Sequence, residues 1–551
     1  MERRDNTALQ DTHFDLLIIG GGITGAGAAR DAARRGLSVL VVDQGDVASG
    51  TSSRSSKLVH GGLRYLEQGE VALVFEAVAE RRVLQTIAPH LVQPMPFLFP
   101  IYDDYRMGLF TINIGMWIYD ALSLFRSPKI HKKLSQKKVA IVEPGLLSEG
   151  LQGAPLYYDC ATDDARLTLE TILDAECSGA QIRTHTRVTK LLRKDGRVSG
   201  AKLEDQLTGE AAEVSASVVI NATGPWTDWT RRLSGEEVRP SLRPTKGIHI
   251  VVNASRFSVN HAVVCLHPDD GRVLFAVPWG EQTYVGTTDT DFEGDPNEVC
   301  ADHSDVKYII EATNTFFPDA GLSLDDVVST WAGVRPLISE DGAEDESSVS
   351  REHEIYLSDD GMITIAGGKL TTYRRMGAEV VRKAVAVLKE LELLPDTLRS
   401  SDTQKNPLPG AVSWPASGGL DTLVQQVVEI GEGQIDERTA KLLSDTYGTR
   451  SLHIAEQVSA AHALGEPLIE GRPEIAGQVE FAVNSELART VSDVMIRRTQ
   501  LFYRDADQGL GAVDKVAAQM AGMLNWTPEQ TQKNVSEYRA EVERSRCWRT
   551  G

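Results

Sequence analysis

The sequence predicts an α/β dinucleotide-binding domain with a mostly antiparallel sheet, followed by an all-α C-terminal domain. Three observations predict it. A glycine-rich unit with two apolar runs occupies residues 15–46, and runs of alternating polarity fill residues 245–290. Helical patterns dominate residues 420–551, after a stretch at 394–419 that is rich in proline, serine and glycine. We therefore expect a first domain over residues 1–393, a linker over 394–419 and a helical domain over 420–551.

The first unit, DLLIIGGGITGAGAARDAARRGLSVLVVDQGD, has the spacing of a dinucleotide-binding turn. Gly20, Gly22 and Gly25 follow a short apolar strand and open a helix. Such glycines allow a tight turn, close approach of the backbone to a pyrophosphate, and close packing of helix on strand. Asp43 ends the second strand, where a carboxylate can accept hydrogen bonds from ribose hydroxyls. An ordinary glycine-rich turn is the alternative, and it leaves this acid unexplained.

Composition excludes several classes of function. A chain of 551 residues with 41% hydrophobic and 25% charged residues is typical of a globular protein with two or three domains. Its net charge of −21 argues against nucleic-acid binding, and any anionic substrate would need a local cluster of cations. The cysteines are scattered, form no C-x-x-C pair and suggest reduced thiols without a metal site; they are Cys160, Cys177, Cys265, Cys300 and Cys547.

The sequence favours a cytoplasmic location, because residues 1–13 are polar and carry no apolar signal-peptide core. The most apolar stretch is 109–125, LFTINIGMWIYDALSLF, flanked by Arg106 and Arg126. Asn113 and Asp120 make it a poor membrane-spanning helix. We expect either a buried helix or a helix that lies in the membrane interface, the latter giving peripheral contact with the inner face of the cell membrane.

Three further motifs carry glycine, hydroxyl and cationic side chains. The loop after the first unit, TSSRSSKLVHGGLRYLE at 51–67, contains small hydroxyl residues and then a dense group of cations, which favours a binding site over a connector. NATGPW at 221–226 ends an apolar strand, and GGKLTTYR at 367–374 opens a long helix whose N-terminus is available to an anion. We expect no catalytic cluster in the C-terminal helices.

Together with GVRPL at 333–337 and the distal RRT segment, these motifs resemble the FAD-dependent, respiratory glycerol-3-phosphate dehydrogenase family. The resemblance covers nearly the whole chain. It implies a glutathione-reductase-type FAD domain, a substrate domain with a sheet over the flavin, and a helical C-terminal domain. The implied reaction oxidises sn-glycerol 3-phosphate to dihydroxyacetone phosphate and passes electrons to membrane quinone.

The resemblance also assigns residues to FAD. Asp43 stands where many members of the family have glutamate, which changes the hydrogen-bond geometry expected at the ribose. The implied cofactor-binding residues are Gly20, Gly22, Gly25, Asp43, Thr51, Ser52, Lys57, Val188, Thr223, Gly224, Gly368 and Thr371.

The implied substrate carries a phosphate, so its site needs several fixed cations. Those in the matching motifs are Arg64, with Tyr65 beside it, Arg335, Arg351 and Lys369. Hydride removal also requires a base for the substrate hydroxyl, and histidine suits that task. His249 is the first candidate and His60 the second, although a buried structural histidine is equally compatible with the pattern at 249. Arg335 could instead stabilise the alkoxide electrostatically.

Two other functions remain open at this point. An oxidase that uses oxygen as acceptor would need the same fold and pocket. A non-catalytic flavin-binding redox sensor, or docking protein, would have no use for a cluster of phosphate-binding cations. An amino-acid or sarcosine oxidase fits less well, because a carboxylate substrate needs fewer cations. A homodimer is compatible with these residues, which do not establish it.

Overall fold

The structure is a computed structural model. It describes residues 9–10, 12–62, 70–105, 108–123, 129–235, 240–339 and 353–550. All statements about the fold concern these residues, and strands and helices are numbered in chain order.

The first sheet is built around the predicted dinucleotide unit. Its central strand pairs in parallel with both neighbours, and residues 16–18 are fully buried because helices cover the sheet. The path through the sheet runs β18, β19, β11, β1, β2, β8, with β10 and β9 extending from β11. The strands are β1 (His13–Ile19), β2 (Val39–Val42), β8 (Gln181–Arg183), β9 (Thr186–Lys194), β10 (Arg197–Asp205), β11 (Ala211–Asn221), β18 (His353–Leu357) and β19 (Ile363–Gly367).

The second sheet is mostly antiparallel, as the alternating runs predict. Its path runs β16, β12, β15, β14, β13, β4, β7, β3, and β17 pairs with β12 along its length. The strands are β3 (Leu58–Val59), β4 (Val92–Leu98), β5 (Ile101–Tyr102), β6 (Lys132–Ser135), β7 (Leu151–Thr162), β12 (Leu242–Asn253), β13 (Ala262–Leu266), β14 (Val273–Trp279), β15 (Gln282–Gly286), β16 (Thr290–Asp291) and β17 (Val327–Ile338).

Helices flank the first sheet and make up the C-terminal region. Those of the first region are α1 (Ile23–Arg34), α2 (Val71–Ile87), α3 (Leu109–Leu122), α4 (Gln136–Val142), α5 (Asp164–Cys177), α6 (Thr227–Arg232), α7 (His303–Phe316) and α8 (Tyr373–Glu390). Those of the second are α9 (Gly419–Ile430), α10 (Glu437–Tyr447), α11 (Ser451–Ala460), α12 (Ala476–Ser485), α13 (Leu501–Arg504), α14 (Val513–Leu524) and α15 (Pro528–Ser545). A π-helical turn, Asp493–Arg498, precedes α13.

The segment at 394–419 is fastened to the first domain. The buried guanidinium of Arg30 donates hydrogen bonds to the carbonyl oxygens of Thr403 (2.9 Å) and Asn406 (2.7 Å). Leu408 is fully buried, and its amide donates to the carbonyl of Ile87. The segment therefore follows a fixed path across the surface of α1 and α2.

The helical region docks on the dinucleotide unit through buried charges. Asp46 accepts hydrogen bonds from Arg497 Nε (2.6 Å) and Arg498 Nη1 (2.7 Å). Asp493, on the same π-helical turn, lies 3.0 Å from His185. Asp46, Asp493, Arg497 and Arg498 are each at most 7% exposed. These contacts fix the end of the first unit against the C-terminal region.

A second buried cluster surrounds Glu486. Its carboxylate accepts two hydrogen bonds from Arg166 of α5 (2.6 and 2.8 Å) and one from Arg450 (2.7 Å). Burial raises the pKa of Glu486, but the charges of Arg166 and Arg450 outweigh it and lower that pKa to about 2. The residue is therefore ionised at neutral pH.

Helix α3 is the part of the apolar stretch at 109–125 that the structure describes as regular. One face packs on the core through Ile112, Met116 and Tyr119. The opposite face is exposed, with Phe110 at 74% and Trp117 at 51%. Among the described residues, no helix combines the length and the apolar character needed to cross a membrane.

Replacing Glu486 with glutamine should lower the free energy of unfolding by about 3 to 5 kcal/mol, because buried Arg166 would lose its charged partner. Chemical unfolding followed by circular dichroism measures this. The matched control is Glu311→Gln, whose pair with Lys307 is exposed on both sides and should change stability by about 0.5 kcal/mol or less. Equal effects of the two substitutions would contradict the role given to the buried cluster.

The same variant should reveal a pH dependence. The pKa of Glu486 is lowered from 4.5 to about 2, so its contribution is complete above pH 4.5 and is lost as the pH falls through 2. The stability difference between the parent chain and Glu486→Gln should therefore narrow as the pH falls below 4.5. A difference that stays constant down to pH 2 would be inconsistent with this origin.

Candidate functional site

A cavity of about 610 Å³ opens where β1, β2 and β11 end. Parallel sheets bind ligands at the carboxyl ends of their strands, and this volume suits a sizeable organic ligand. The residues predicted to bind a cofactor that line it are Gly20, Gly22, Asp43, Thr51, Ser52, Val188, Thr223, Gly224 and Gly368. Gly25, Lys57 and Thr371 lie outside its wall.

Two glycines of the fingerprint are required by the backbone. Gly20 has φ +110°, and a Cβ there would lie 2.5 Å from the carbonyl oxygen of Ala222. A Cβ at Gly25 would lie 1.9 Å from the carbonyl oxygen of Gly20, so Gly25 lets α1 pack directly on the turn. Gly22 is the N-cap of α1 and lines the cavity. The helix N-terminus therefore faces the ligand space.

Asp43 is held at the end of β2 by the backbone. Its Oδ2 accepts a hydrogen bond from the amide of Gly21 (2.6 Å) and its Oδ1 from the amide of Gly45 (2.8 Å). Burial raises the pKa of Asp43 to about 6, against the opposing effect of these amides. The carboxylate is thus oriented towards the cavity in a position that can receive hydroxyl donors.

The loop after β2 forms the next part of the wall. Thr51 Oγ1 donates a hydrogen bond to the carbonyl oxygen of Val334 (2.6 Å), which joins the loop to the second sheet. Ser52 Oγ accepts one from the amide of Ile23 (2.9 Å) at the start of α1. The loop therefore connects the two sheets at the cavity.

Lys57 has a different environment from the one implied by the resemblance. Its Nζ forms a buried ion pair with Asp164 (2.6 Å) and donates to the carbonyl oxygen of Ser53 (3.0 Å). Burial lowers the pKa of Lys57, but Asp164 and Asp163 outweigh it and the pKa lies above its ordinary value. The charged lysine therefore holds the loop in place and is not part of the cavity wall.

The opposite wall comes from later segments of the first domain. Val188 of β9, Thr223 and Gly224 after β11, and Gly368 after β19 all line the cavity. Thr371 instead bonds to the backbone of the His60 segment, accepting from the amide of His60 (3.2 Å). Its contribution is to fix that segment beside the turn that opens α8.

His249 lies on β12, stacked on Trp331 at 4.7 Å between ring centroids. Its Nε2 is 3.0 Å from Ser56 Oγ, while its buried Nδ1 has no hydrogen-bond partner. Burial, Arg335 and Lys57 together lower the pKa of His249 well below its ordinary value. The imidazole is therefore neutral at neutral pH and able to accept a proton.

Arg335 lies on β17, the strand that pairs with β12. Its Nη1 bonds to Asp289 Oδ1 (2.8 Å), and its Nη2 to Thr287 Oγ1 (2.9 Å). The guanidinium crosses Gly247, where a Cβ would overlap it. Arg335 is close enough to His249 to lower the pKa of that histidine, and its neighbour Pro336 lines the cavity. The two predicted catalytic residues therefore lie on paired strands of the second sheet, and neither is among the residues that line the cavity.

The remaining substrate-site predictions divide into two groups. Lys369 lines the cavity at the start of the turn that leads into α8. Arg64, Tyr65 and Arg351 lie outside the described residues.

Sequence reasoning missed a contribution from the helical region. Ser492, Ile496, Arg497 and Glu541 line the same cavity as the glycine fingerprint, as does Arg54 of the loop. We expected no catalytic cluster in that region, although the RRT segment at 497–499 belongs to the motifs that carry the resemblance. Adjacent arginines within an apolar helical run are the signal that could have indicated a buried contact. Arg497 reaches the cavity because it is bonded to Asp46.

Comparison with known proteins agrees with this arrangement. Residues 15–374 match the family model described as FAD dependent oxidoreductase. Residues 401–531 match the model of the C-terminal domain of alpha-glycerophosphate oxidase. The first match covers more than half of the chain and spans most of the cavity wall. The second begins within the predicted linker.

Full-length relatives and a solved structure extend the comparison. The aerobic glycerol-3-phosphate dehydrogenase of Staphylococcus haemolyticus is 38% identical over 97% of this chain and 95% of its own length. That of Staphylococcus saprophyticus is 39% identical over 94% and 92%. The glycerol-3-phosphate dehydrogenase of Bacillus halodurans, solved with FAD, has TM-score 0.80 and 32% identity, covering 98% of this chain and 96% of its own.

A more distant likeness concerns the fold alone. L-alpha-glycerophosphate oxidase from Mycoplasma pneumoniae aligns with TM-score 0.55 and 18% identity over 72% of this chain and 99% of its own. The predicted fold class, an FAD-binding α/β domain with a sheet domain and a helical C-terminal region, is confirmed by these matches. The chain belongs to the FAD-dependent glycerol-3-phosphate dehydrogenase family.

Proposed function

We propose that this protein oxidises sn-glycerol 3-phosphate to dihydroxyacetone phosphate with FAD, and passes the electrons to a membrane quinone. One observation carries the proposal. A neutral buried histidine and an arginine, His249 and Arg335, lie on paired strands of the sheet that contributes Pro336 to a cavity built on a dinucleotide fingerprint. The names of the full-length relatives support the same substrate.

The residues of the cavity fit FAD. Gly22, the N-cap of α1, lines the cavity, Gly20 allows the turn before it to pack on the backbone of Ala222, and Asp43 presents a carboxylate held by backbone amides. We assign Asp43 to the ribose, Thr51 and Ser52 to the region of the pyrophosphate, and Val188 to the adenine through its backbone. Thr223, Gly224 and Gly368 close the other side. When bound, FAD accepts the hydride that leaves the substrate.

His249 would act on the substrate hydroxyl. Its Nδ1 is buried without a hydrogen-bond partner, and its low pKa keeps it unprotonated. Ser56, 3.0 Å from Nε2, fixes the ring, as does the stacking on Trp331. We propose that His249 removes the hydroxyl proton as the hydride leaves, with His60 as the second candidate.

Arg335 would stabilise the negative charge that develops on the substrate oxygen. Its guanidinium is already oriented by Asp289, Thr287 and the backbone of Thr288, so little reorganisation is required. We assign the phosphate to Arg64, Arg351 and Lys369, with Tyr65 beside them. These cations would give a chain of net charge −21 a local positive site for an anion.

The surface around α3 supports an acceptor in the membrane. Its outer face exposes Phe110 and Trp117, together with Ile114 and Ile118 (both 47%). Trp117 packs edge-on against His131, which lies within a basic stretch at 129–138. The exposed lysines of that stretch are Lys129, Lys132, Lys133, Lys137 and Lys138. An apolar face bordered by lysines on an acidic protein is typical of a surface that binds anionic lipid.

Replacing Arg335 with alanine should reduce kcat/KM for glycerol 3-phosphate by about 100-fold to 1,000-fold, because charge on the substrate oxygen would lose its stabilising partner. Anaerobic titration with the substrate, followed by loss of flavin absorbance, measures the effect. The control is Arg243→Ala, which removes an ion pair with Asp291 on the same sheet. A colourless Arg335→Ala protein would show that this residue holds FAD instead.

Replacing His249 with glutamine should slow flavin reduction by about 100-fold to 10,000-fold, because no base would accept the hydroxyl proton. Stopped-flow absorbance measures the rate. The control is His267→Gln, since His267 is also buried, directly after β13 of the second sheet, but stacks on Tyr308. In the parent chain kcat/KM, which reports the free protein, should show no titration of His249 above pH 6.5 and should fall only in acid well below it, since the pKa of His249 is lowered. An unchanged rate in His249→Gln would transfer the role to His60, which the His60→Gln variant then tests.

Replacing Phe110 and Trp117 together with serine should weaken binding to vesicles of anionic phospholipid by about 10-fold or more, because both exposed side chains would no longer enter the interface. Co-sedimentation measures binding, and high salt should weaken it further. The control is Leu393→Ser, at a residue that is also about half exposed.

The same double variant separates the possible acceptors. It should keep its turnover with a soluble quinone and lose it with quinone embedded in vesicles. Turnover of the parent chain with dissolved oxygen at the rate seen with quinone would instead identify an oxidase. A flavin that the substrate cannot reduce would favour a redox sensor and overturn the proposed reaction.

A further inference from the structure

Two cysteines from distant parts of the chain meet at the edge of the C-terminal region. Cys300 lies in the segment that leads into α7, and Cys547 follows α15 at the start of the turn Cys547–Arg549. Their Sγ atoms are 2.9 Å apart, and Cys547 Sγ is also 3.1 Å from the carbonyl oxygen of Ala301. Both cysteines are free thiols in this structure.

Packing and hydrogen bonds of the neighbouring residues fix the position of the chain around Cys547. Trp548, next to Cys547, is 1% exposed and packs in the core that contains α7. Its carbonyl oxygen is 3.2 Å from His303 Nδ1, at the start of α7. Thr330 Oγ1 donates to the carbonyl oxygen of Ser545 (3.2 Å). The chain end therefore has a defined position, and the two thiols meet because that position brings them together.

Access distinguishes this pair from the other cysteines. Cys547 is exposed and Cys300 is partly exposed, so a small oxidant can reach them. Cys160 and Cys265 are buried. Cys177 is exposed, but none of the other cysteines, all of which the structure describes, is paired with it.

We propose that Cys300 and Cys547 form a reversible intramolecular disulfide when the protein meets a peroxide. One thiol is oxidised by hydrogen peroxide to a sulfenic acid with release of water. The second thiol then attacks that sulfur, the S–S bond forms, and a second water leaves. In total the two thiols lose two electrons and two protons, and the peroxide is reduced to two water molecules. A dithiol reductant restores the pair.

A disulfide between Cys300 and Cys547 would lie close to residues of the large cavity. Cys300 lines a small pocket of about 30 Å³ together with Arg54 and Glu541, and these two residues also line the large cavity. Glu541 belongs to α15, which ends just before Cys547. The bridge therefore fastens the helix that supplies this part of the cavity wall to the segment before α7.

The bridge is expected to form slowly. Burial and the hydrogen bond with Cys300 raise the pKa of Cys547 to about 12, so Cys547 remains a thiol at neutral pH. Reaction with dilute peroxide therefore takes long incubation, which suits a slow response and not a step of each catalytic cycle.

The experiment uses the full-length, FAD-loaded protein incubated with dilute hydrogen peroxide and then blocked with an alkylating reagent under denaturing conditions. Intact mass should show two fewer alkylated thiols than in the untreated protein, and non-reducing digestion should yield one peptide pair that contains Cys300 and Cys547. Dithiothreitol should reverse both. The oxidised protein should unfold about 5 °C higher, because the bridge closes a very long loop.

Matched variants test the assignment. Cys300→Ser and Cys547→Ser should each abolish the linked peptide pair and the rise in Tm, whereas Cys177→Ser should leave both unchanged. The flavin spectrum of each variant reports that the protein is folded and loaded. A chain that keeps all its thiols, one that goes only to sulfinic acid, or one that forms a disulfide between two molecules would overturn the proposal.

Discussion

The cavity depends on the buried ion pairs that the carboxylate of Asp46 forms with Arg497 and Arg498. Asp46 follows Asp43 by three positions, so it stands at the end of the unit that lines the ligand space. Arg497 and Arg498 both bond to it, and Arg497 also lines the cavity. One carboxylate thus fixes the loop of the first domain and places a side chain of the helical region in the same wall. A buried charge that loses its partner is strongly destabilising, so the helical region is stable against the first domain only in the position that keeps these ion pairs.

The first turn of helix α5 also joins the first domain to the helical region. Its N-cap, Asp163, accepts from the amide of Arg166 and from Gln500 of the helical region (2.6 Å). Asp164 holds Lys57 in the loop, and Arg166 holds Glu486. Carboxylates at a helix N-terminus are favourable for the helix itself. The first turn of one helix therefore contacts both the loop beside the cavity and the helical region that contributes to the cavity wall.

The sequence alone predicted those strands and helices that are marked by a pattern of neighbouring residues. The apolar runs and glycine spacing predicted β1, α1 and β2, and Gly20, Gly22 and Asp43 do line one cavity. The prediction for Lys57 differed from the structure because its partner, Asp164, is more than a hundred residues away. No local pattern distinguishes a lysine that faces a ligand from one that faces a buried carboxylate. For the same reason Glu541 was missed, since its place in the wall follows from docking between distant segments.

The chemistry proposed for His249 follows from how charge is distributed around it. The guanidinium of Arg335 is matched by Asp289, and the ammonium of Lys57 by Asp164, so neither cation lacks compensation. Both still act on His249 and, with burial, keep its imidazole neutral. A proton taken from the substrate hydroxyl would place a positive charge on this ring beside Arg335. That state would be favourable only while negative charge on the substrate oxygen and phosphate lies nearby, so under the proposed mechanism the histidine would become an effective base only with the anionic substrate bound.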